Sequence, residues 1–304
     1  ITDQLQLDTN VNIEDKYNIT NCKTIEDAVG FKLDFAIVSN PTSLHVETTL
    51  NLLEHRIPVL IEKPLSNNNN SVDELFKLSK NNNTPLSVAF MMRHHPCSKK
   101  LREYVEREAI GKIYNVTVNV NSFFPAWHNY EKYNEFYAGM RNLGGGVVLT
   151  EIHEIDLLSL LFGKPEYLFA VGGKRSSFDI DVEDNVSVLM KFNNNSYDFS
   201  STLNMSFVQK SPLRNITILG EHGNILWDMT KDVISINNYT DSLSEVHSFE
   251  DFQRNDMFED QLLDFIKLIN SNKKIDKILE DSIGGHEIAM AIKESLSTDS
   301  IVSL

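Results

Sequence analysis

Ile61-Glu62-Lys63-Pro64-Leu65 sets a lysine between a carboxylate and a proline, just after the apolar run Pro58-Val59-Leu60. An amine half-buried at a strand end can shift its pKa and take part in proton transfer. The proline removes a backbone donor and stiffens the strand exit. A surface lysine at a strand end is the competing reading. A second cluster is Phe123-Phe124-Pro125-Ala126-Trp127-His128-Asn129-Tyr130, followed by Tyr133, Tyr137 and Arg141. Aromatic rings stack on the apolar faces of sugars and their polar tips bond hydroxyls, so this composition suits a polyhydroxylated ligand. Ordinary loop packing is the alternative. A third group follows Gly144-Gly145-Gly146, where one segment carries Thr150, Glu151, His153, Glu154 and Asp156. An imidazole with an ordinary pKa near ~6.5 suits reversible proton transfer, although a satisfied core histidine has the same signature. Arg93-His94-His95 has vicinal histidines but no acidic or thiol partner at ligand spacing, so no metal is expected.

These residues need elements to hold them. Phe35-Ala36-Ile37-Val38 is short and continuously apolar, as in a strand buried on both faces of a parallel sheet. It breaks at the turn signal Ser39-Asn40-Pro41. A helix is expected next, with Thr42 or Ser43 as N-cap and Leu44, Val46, Leu50 and Leu53 along its apolar face. The strand ending in Lys63 completes a right-handed crossover unit. Ligands of such sheets lie beyond the carboxyl ends of the strands, where Asn40-Pro41 and Glu62-Lys63-Pro64 both fall.

A strand ending in Asn-Pro, a histidine (His45) four residues after that proline, and Glu-Lys-Pro ending the next strand resemble the Gfo/Idh/MocA oxidoreductases. The stretch from Gly144 to Asp156, followed by Leu157-Leu158-Ser159-Leu160-Leu161-Phe162-Gly163, and a C-terminal helical pair beginning near Asp256-Met257-Phe258 extend the likeness over nearly the whole chain. The resemblance implies an NAD or NADP cofactor. It assigns Ser39, Asn40, Pro41, His45, Glu62, Lys63, Pro64 and Arg93 to the cofactor side, and Trp127, His128, Tyr130, Tyr137, Arg141 and His153 to the substrate side. His153 takes the place of a general base, and Lys63 that of a cation serving both the substrate hydroxyl and the nicotinamide ribose. The family's helix usually carries an aspartate four residues before the histidine. Here alignment through the glycines puts Thr150 at that place, on the same helical face as His153. Glu151, two residues before, does not face His153 on a regular helix. Glu154 or a second-domain residue is left to supply a carboxylate, and Asp156 is expected to be structural. The Pro-x-Trp-His-x-Tyr segment and the Thr-Glu-Ile-His-Glu-Ile-Asp form of the helix resemble members associated with bacterial surface sugars, including acylated amino sugars and nonulosonates.

The family also opens with a strand, a G-x-G-x-x-G turn and a helix that holds the pyrophosphate. No such fingerprint occurs in this sequence. Ile1-Thr2-Asp3 reads as the tail of a second strand, with Asp3 as the candidate for the adenosine ribose. Tyr17 to Val29 reads as a third strand and a short helix capped by Thr24, with Asp27 three residues on. About 30 residues, the length of a strand–helix unit, are therefore expected to precede Ile1, and the chain from Ile1 onward is expected to bind NAD weakly or not at all.

The net charge of −15, from 43 acidic and 28 basic residues, argues against nucleic-acid or anionic-membrane binding, though not against a local basic pocket. No apolar run approaches the ~18 residues of a spanning helix. Cys22 and Cys97 lack metal-type pairing and fit free thiols in a reducing cytoplasm.

The expected fold class is α/β. Residues 1–112 form an N-terminally incomplete Rossmann-type parallel sheet, with a last strand over 86–91 and a last helix over 98–108. Residues 113–304 form an α+β domain with a large, mainly antiparallel sheet. Its strands are expected at 113–120, 167–173, 185–193, 196–206, 214–220 and 224–228, and its helices at 147–162, 256–271 and 280–297. Val186, Val188 and Met190, or Phe199, Leu203 and Met205, are candidates for an apolar face that joins a homodimer or homotetramer. The favoured function is a nicotinamide-dependent sugar, amino-sugar or cyclitol oxidoreductase. The alternatives are a non-redox enzyme with tightly held NAD and a cofactor-free regulatory or binding relative.

Overall fold

The computed structural model describes residues 13–304, apart from 129, 195, 240–243 and 272–274, and the side chains of 13 and 275–281. The expectation for Asp3 and the strand at Ile1–Asp3 lies outside the described residues. The first part runs α1 (Ile13–Tyr17), α2 (Ile25–Val29), β1 (Ala36–Val38), α3 (His45–Glu54), β2 (Val59–Ile61), α4 (Val72–Asn82), β3 (Leu86–Val88) and α5 (Pro96–Glu106). β1, β2 and β3 pair in parallel in that order. Thr24 caps α2 as its sequence suggests, its hydroxyl accepting from the Asp27 N–H at 3.1 Å. The third strand expected from Tyr17 onward is absent: Tyr17 closes α1, and 18–24 form no strand. Ile37 is 50% exposed, so among the described residues nothing fully covers its face of β1. Neither Thr42 nor Ser43 caps α3; a 3₁₀ turn over Thr42–Leu44 leads into it instead. The buried stripe of α3 is His45, Thr49, Leu52 and Leu53, while Leu44 is exposed. That one-residue rotation turns a polar pair, His45 and Thr49, toward the sheet. β3 is shorter than expected because Met91–His94 coil into a 3₁₀ turn, and Pro96 starts α5 two residues early.

The second part runs β4 (Ile113–Phe123), α6 (Val147–Thr150), α7 (His153–Phe162), β5 (Tyr167–Gly173), β6 (Asn185–Asn193), β7 (Asp198–Ser206), β8 (Val208–Gly220), β9 (Gly223–Asp228), β10 (Val233–Asn238), β11 (Ser244–Ser248), α8 (Arg254–Ile269), α9 (Ile275–Thr298) and β12 (Val302–Ser303). Its nine strands order as β11-β10-β9-β8-β4-β7-β6-β5-β12. All pairs are antiparallel except β4 with β7. Val186 faces Met205 and Val188 faces Leu203 across β6 and β7, and all four are buried. Together with Met190 and Phe199 they belong to the core covered by helices, with α6 and α9 among the elements packed on this sheet. The two apolar sets proposed for an oligomer contact are therefore internal. The open face is polar: Ser187 Oγ donates to Asn204 Oδ1 (2.9 Å), Asn204 Nδ2 to Asn119 Oδ1 (3.3 Å) and Asn119 Nδ2 to Asn215 Oδ1 (3.0 Å). Leu189, Leu219 and Leu226 stand exposed around this ladder.

The 147–162 helix is broken. α6 ends at Thr150, Glu151 takes φ −97°, ψ 38°, and α7 starts afresh at His153. The glycines before it set how closely the two parts approach. Gly144 sits at φ +86°, and a Cβ there would lie 2.7 Å from Thr42 Cβ, on the loop after β1. Gly146, at φ +110°, leaves space that the Glu183 carboxylate fills. The Val147 N–H then donates to the Glu183 carbonyl at 3.0 Å, satisfying the start of α6.

Candidate active site

The loops that follow β1 and β2 are joined by one buried ring. His45 Nδ1 is 2.8 Å from the Pro64 carbonyl and Nε2 is 2.9 Å from the Asn40 carbonyl. Burial lowers the pKa of His45, and these two carbonyls oppose the shift. His45 thus ties the two turns together. With it, Ser39, Asn40, Pro41, Thr42, Glu62, Lys63 and Tyr137 line a cavity of about 270 Å³ at the strand ends. The Asn40 Oδ1 is buried with no partner among the described residues. A cleft at this edge of a parallel sheet, with an unsatisfied amide oxygen and a lysine, fits the nicotinamide end of a dinucleotide.

Lys63 crosses from β2 to the second part. Its Nζ donates to the Thr150 carbonyl at 2.8 Å, at the last residue of α6. Burial lowers its pKa, while Glu151 and Glu62 hold the charge on. The helix break brings Glu151 into the same site. Burial raises its pKa, opposed by Arg214, Lys63 and the Ser122 hydroxyl. Arg214, on β8, donates from Nε to Glu154 Oε1 at 2.6 Å and has Nη2 3.7 Å from Glu151 Oε2. Burial works against the Arg214 charge, but Glu154 and Glu151 outweigh it. His153 is buried, and its Nδ1 has no partner among the described residues. Burial first, then Lys63, Arg214 and Arg254, hold its pKa well below the ordinary value, so the ring is neutral. Thr150 is buried too, with Oγ1 unpartnered; it meets Lys63 through its carbonyl rather than its hydroxyl. Burial, with Glu62 and Glu151, pushes the Tyr137 phenol up to about 12, so it remains a donor.

The structure thus gathers Ser39, Asn40, Pro41, His45, Glu62, Lys63 and Tyr137 around one cleft, Lys63 joins it to the Thr150 carbonyl, and His153, three residues on, feels the Lys63 charge. Other expected residues are committed elsewhere. Arg93 donates from Nε and Nη2 to Asp156 at 2.8 and 2.5 Å, because Asp156, fully buried on α7, requires a cation there. Trp127 packs on Phe124 and Phe207 and donates from Nε1 to Ser122 Oγ at 3.2 Å. Arg141 donates to the Asp181 carbonyl from Nε and Nη2, pinning a loop. His128 and Tyr130 pack on one another, ring centroids 5.0 Å apart. The substrate wall read from the sequence is therefore mostly self-packed, with Tyr137 its member at the cleft. Glu154 is occupied by Arg214, and no carboxylate among the described residues bonds His153 Nδ1. Arg214 escaped the sequence reading. Its one signal is register: it lies two before Ile216, on the face of β8 that carries Ile216 and Ile218 into the core.

Comparison with known proteins agrees with this geometry. Residues 6–90 match the family model "Oxidoreductase family, NAD-binding Rossmann fold", and residues 98–226 match the GFO/IDH/MocA C-terminal domain. An uncharacterized oxidoreductase, YgjR, of Escherichia coli is 28% identical over 197 residues, 64% of this chain but 56% of the relative. The chain thus matches little more than half of that protein's length. Myo-inositol 2-dehydrogenase of Thermotoga maritima is 25% identical over 90% of this chain and 80% of its own. Among solved structures, the WlbA dehydrogenase of Bordetella pertussis, in complex with NADH and UDP-GlcNAcA, superposes with a TM-score of 0.73 at 19% identity, covering 92% of this chain and 83% of that one.

Proposed function

This chain belongs to the GFO/IDH/MocA oxidoreductases, with their NAD-binding Rossmann fold, and from that premise we propose that it moves a hydride between a nicotinamide dinucleotide and a hydroxyl-bearing carbon of a sugar, amino sugar or cyclitol. One observation carries the reading: Lys63, from the strand-end loop of the first part, donates to the Thr150 carbonyl at the helix break of the second at 2.8 Å, near a buried neutral His153 whose Nδ1 has no partner among the described residues. Buried polar atoms left unsatisfied in this way are held ready for a ligand.

A bound nicotinamide would supply the hydride acceptor or donor. The residues that would hold it are Ser39, Asn40, Pro41, Glu62 and Lys63. This chain's own work is to place the hydroxyl and handle its proton. The Lys63 ammonium stabilises charge that develops on the oxygen. The neutral His153 ring accepts the proton. The surrounding cations make the imidazolium costly, which favours passing the proton onward. Tyr137 can donate to a second hydroxyl. We further infer a homodimer or homotetramer joined through the open, ladder-bearing face of the large sheet.

The test is a panel of sugars, amino sugars and cyclitols, each assayed with NAD and NADP by nicotinamide absorbance. Turnover with at least one member, lost on Lys63→Ala and His153→Ala, is the expected result. Turnover that survives both substitutions would overturn the assignment.

A further inference from the structure

Residues 150–156 are held by three cations from three elements. Lys63 Nζ, from the loop after β2, donates to the Thr150 carbonyl at 2.8 Å. Arg93, from the turn after β3, donates from Nε to Asp156 Oδ2 at 2.8 Å. Between them, Arg214 reaches from β8 to both sides of the helix break. Its Nε donates to Glu154 Oε1 at 2.6 Å, in the first turn of α7, and its Nη2 lies 3.7 Å from Glu151 Oε2, on the break residue itself. His153 stands between those two carboxylates in the chain, and its Nδ1 bonds no described residue. The ring is therefore placed by the backbone that carries it. Arg214 is suited to fix that backbone. It pairs with Val120 of β4, and its carbonyl accepts from the Met229 N–H at 2.9 Å, so both edges of its strand are engaged. Glu154 is fully buried and needs a cation, which accounts for one arm of the guanidinium. That need does not account for the second arm, which crosses to Glu151. A planar fork holds two carboxylates in a fixed geometry, whereas an ammonium is a point charge on a flexible stem.

We propose that Arg214 is a positioning residue for hydride transfer: by clamping Glu151 and Glu154 on either side of the break, it sets the His153 ring against the substrate hydroxyl. A site mounted on a paired strand holds its geometry better than one left to a loop. The inference rests on the proposed reading of His153 as the proton acceptor.

Two variants test it. Arg214→Lys keeps the charge and loses the fork. Arg214→Met combined with Glu154→Gln removes the buried pair without leaving either partner alone. Urea denaturation checks that each folds. In both, kcat for the panel sugar turned over fastest should fall about 10-fold or more, the scale on which a misplaced reacting group costs rate. KM should change little, because both arms of Arg214 are engaged with carboxylates. The second readout needs no turnover. In the chain labelled at histidine, the His153 ring resonances, identified by their loss in His153→Ala, should move in both variants. Those of His45 and His286, held at Pro64, Asn40 and Asn69, should stay in place. A shift under Arg214→Lys reports placement, since the charge is kept. His153 resonances that stay put in both variants overturn the proposal, whatever happens to turnover; a lower kcat beside them assigns Arg214 to stability alone. Moved resonances with kcat unchanged overturn it as well. Moved resonances in a parent chain that turns over no sugar keep the clamp and overturn the hydride-transfer reading instead.

Discussion

Lys63 and His153 are asked to do opposite things with one proton, and their surroundings separate them. Lys63→Ala and His153→Ala should each lower the rate of hydride transfer by ~100-fold or more, the scale of losing a positioned acid–base group. Thr150→Ala should cost less, because Lys63 bonds to its carbonyl, which alanine keeps. Single-turnover rates with the cognate sugar decide this; undiminished transfer in His153→Ala would shift the role of base to Glu151. The pH dependence has a definite sign. The ring of His153 must be neutral to accept a proton, and its pKa lies well below the ordinary value. The acid limb of kcat/KM should therefore fall below the ~6.5 of a free imidazole. Lys63 must stay charged, and burial lowers its pKa, so activity should fall as pH rises through a value below the ~10.4 of a free lysine. Lys63, His153, Asn40 and the strand ends were legible because each belongs to a local motif. Arg214 was not, since it stands alone on an element distant in sequence from the residues it serves.

Elements decide whether those side chains meet. The strands over 167–173 and 185–193 were legible to the residue, because alternation along Val186, Val188 and Met190 is unambiguous. The break at Glu151 was not legible: Val147 to Phe162 contains no proline or glycine, and the interruption comes from tertiary placement against Glu183 and Lys63. On an unbroken helix Glu151 would not face His153; the break sets its carboxylate 3.7 Å from Arg214 Nη2. β10 and β11 were missed because Ile234 and Ile236 alternate over too short a stretch among polar neighbours. The glycine turn gives a test at this scale. Gly144→Ala demands φ near +86° from an alanine and drives its Cβ against Thr42. A loss of about 2–4 kcal/mol is expected, from backbone strain plus overpacking, together with a fall in turnover as the two parts are forced apart. Urea denaturation measures the first; an unchanged midpoint would show that the Gly144 turn and the Thr42 loop can part without strain.

For the whole molecule, the proposed assembly is tested at the open face of the nine-stranded sheet. Leu189 lies in register with Thr202, and Thr202 with Thr117, so its row crosses the centre of that face. Leu189→Glu should shift the solution mass toward the monomer, read by light scattering at micromolar concentration. A monomeric parent chain would remove the proposed assembly altogether. The parallel pairing of β4 with β7 carries a further consequence, one that concerns synthesis rather than catalysis. β4 is central in space but early in sequence, and its neighbours β7 and β8 end at Ser206 and Gly220. On the ribosome, at ~5–20 residues per second, both edges of β4 stay unpaired for roughly 5–20 s. Val116, Val118 and Val120 are exposed to wrong pairing for that interval. Asn115, Asn119 and Asn121, poor strand formers on its other face, act as gatekeepers while the chain waits. Replacing the three by valine should lower the soluble fraction made in a cell-free translation without shortening β4 in the chains that fold; an undiminished yield would show that the nascent strand needs no such protection.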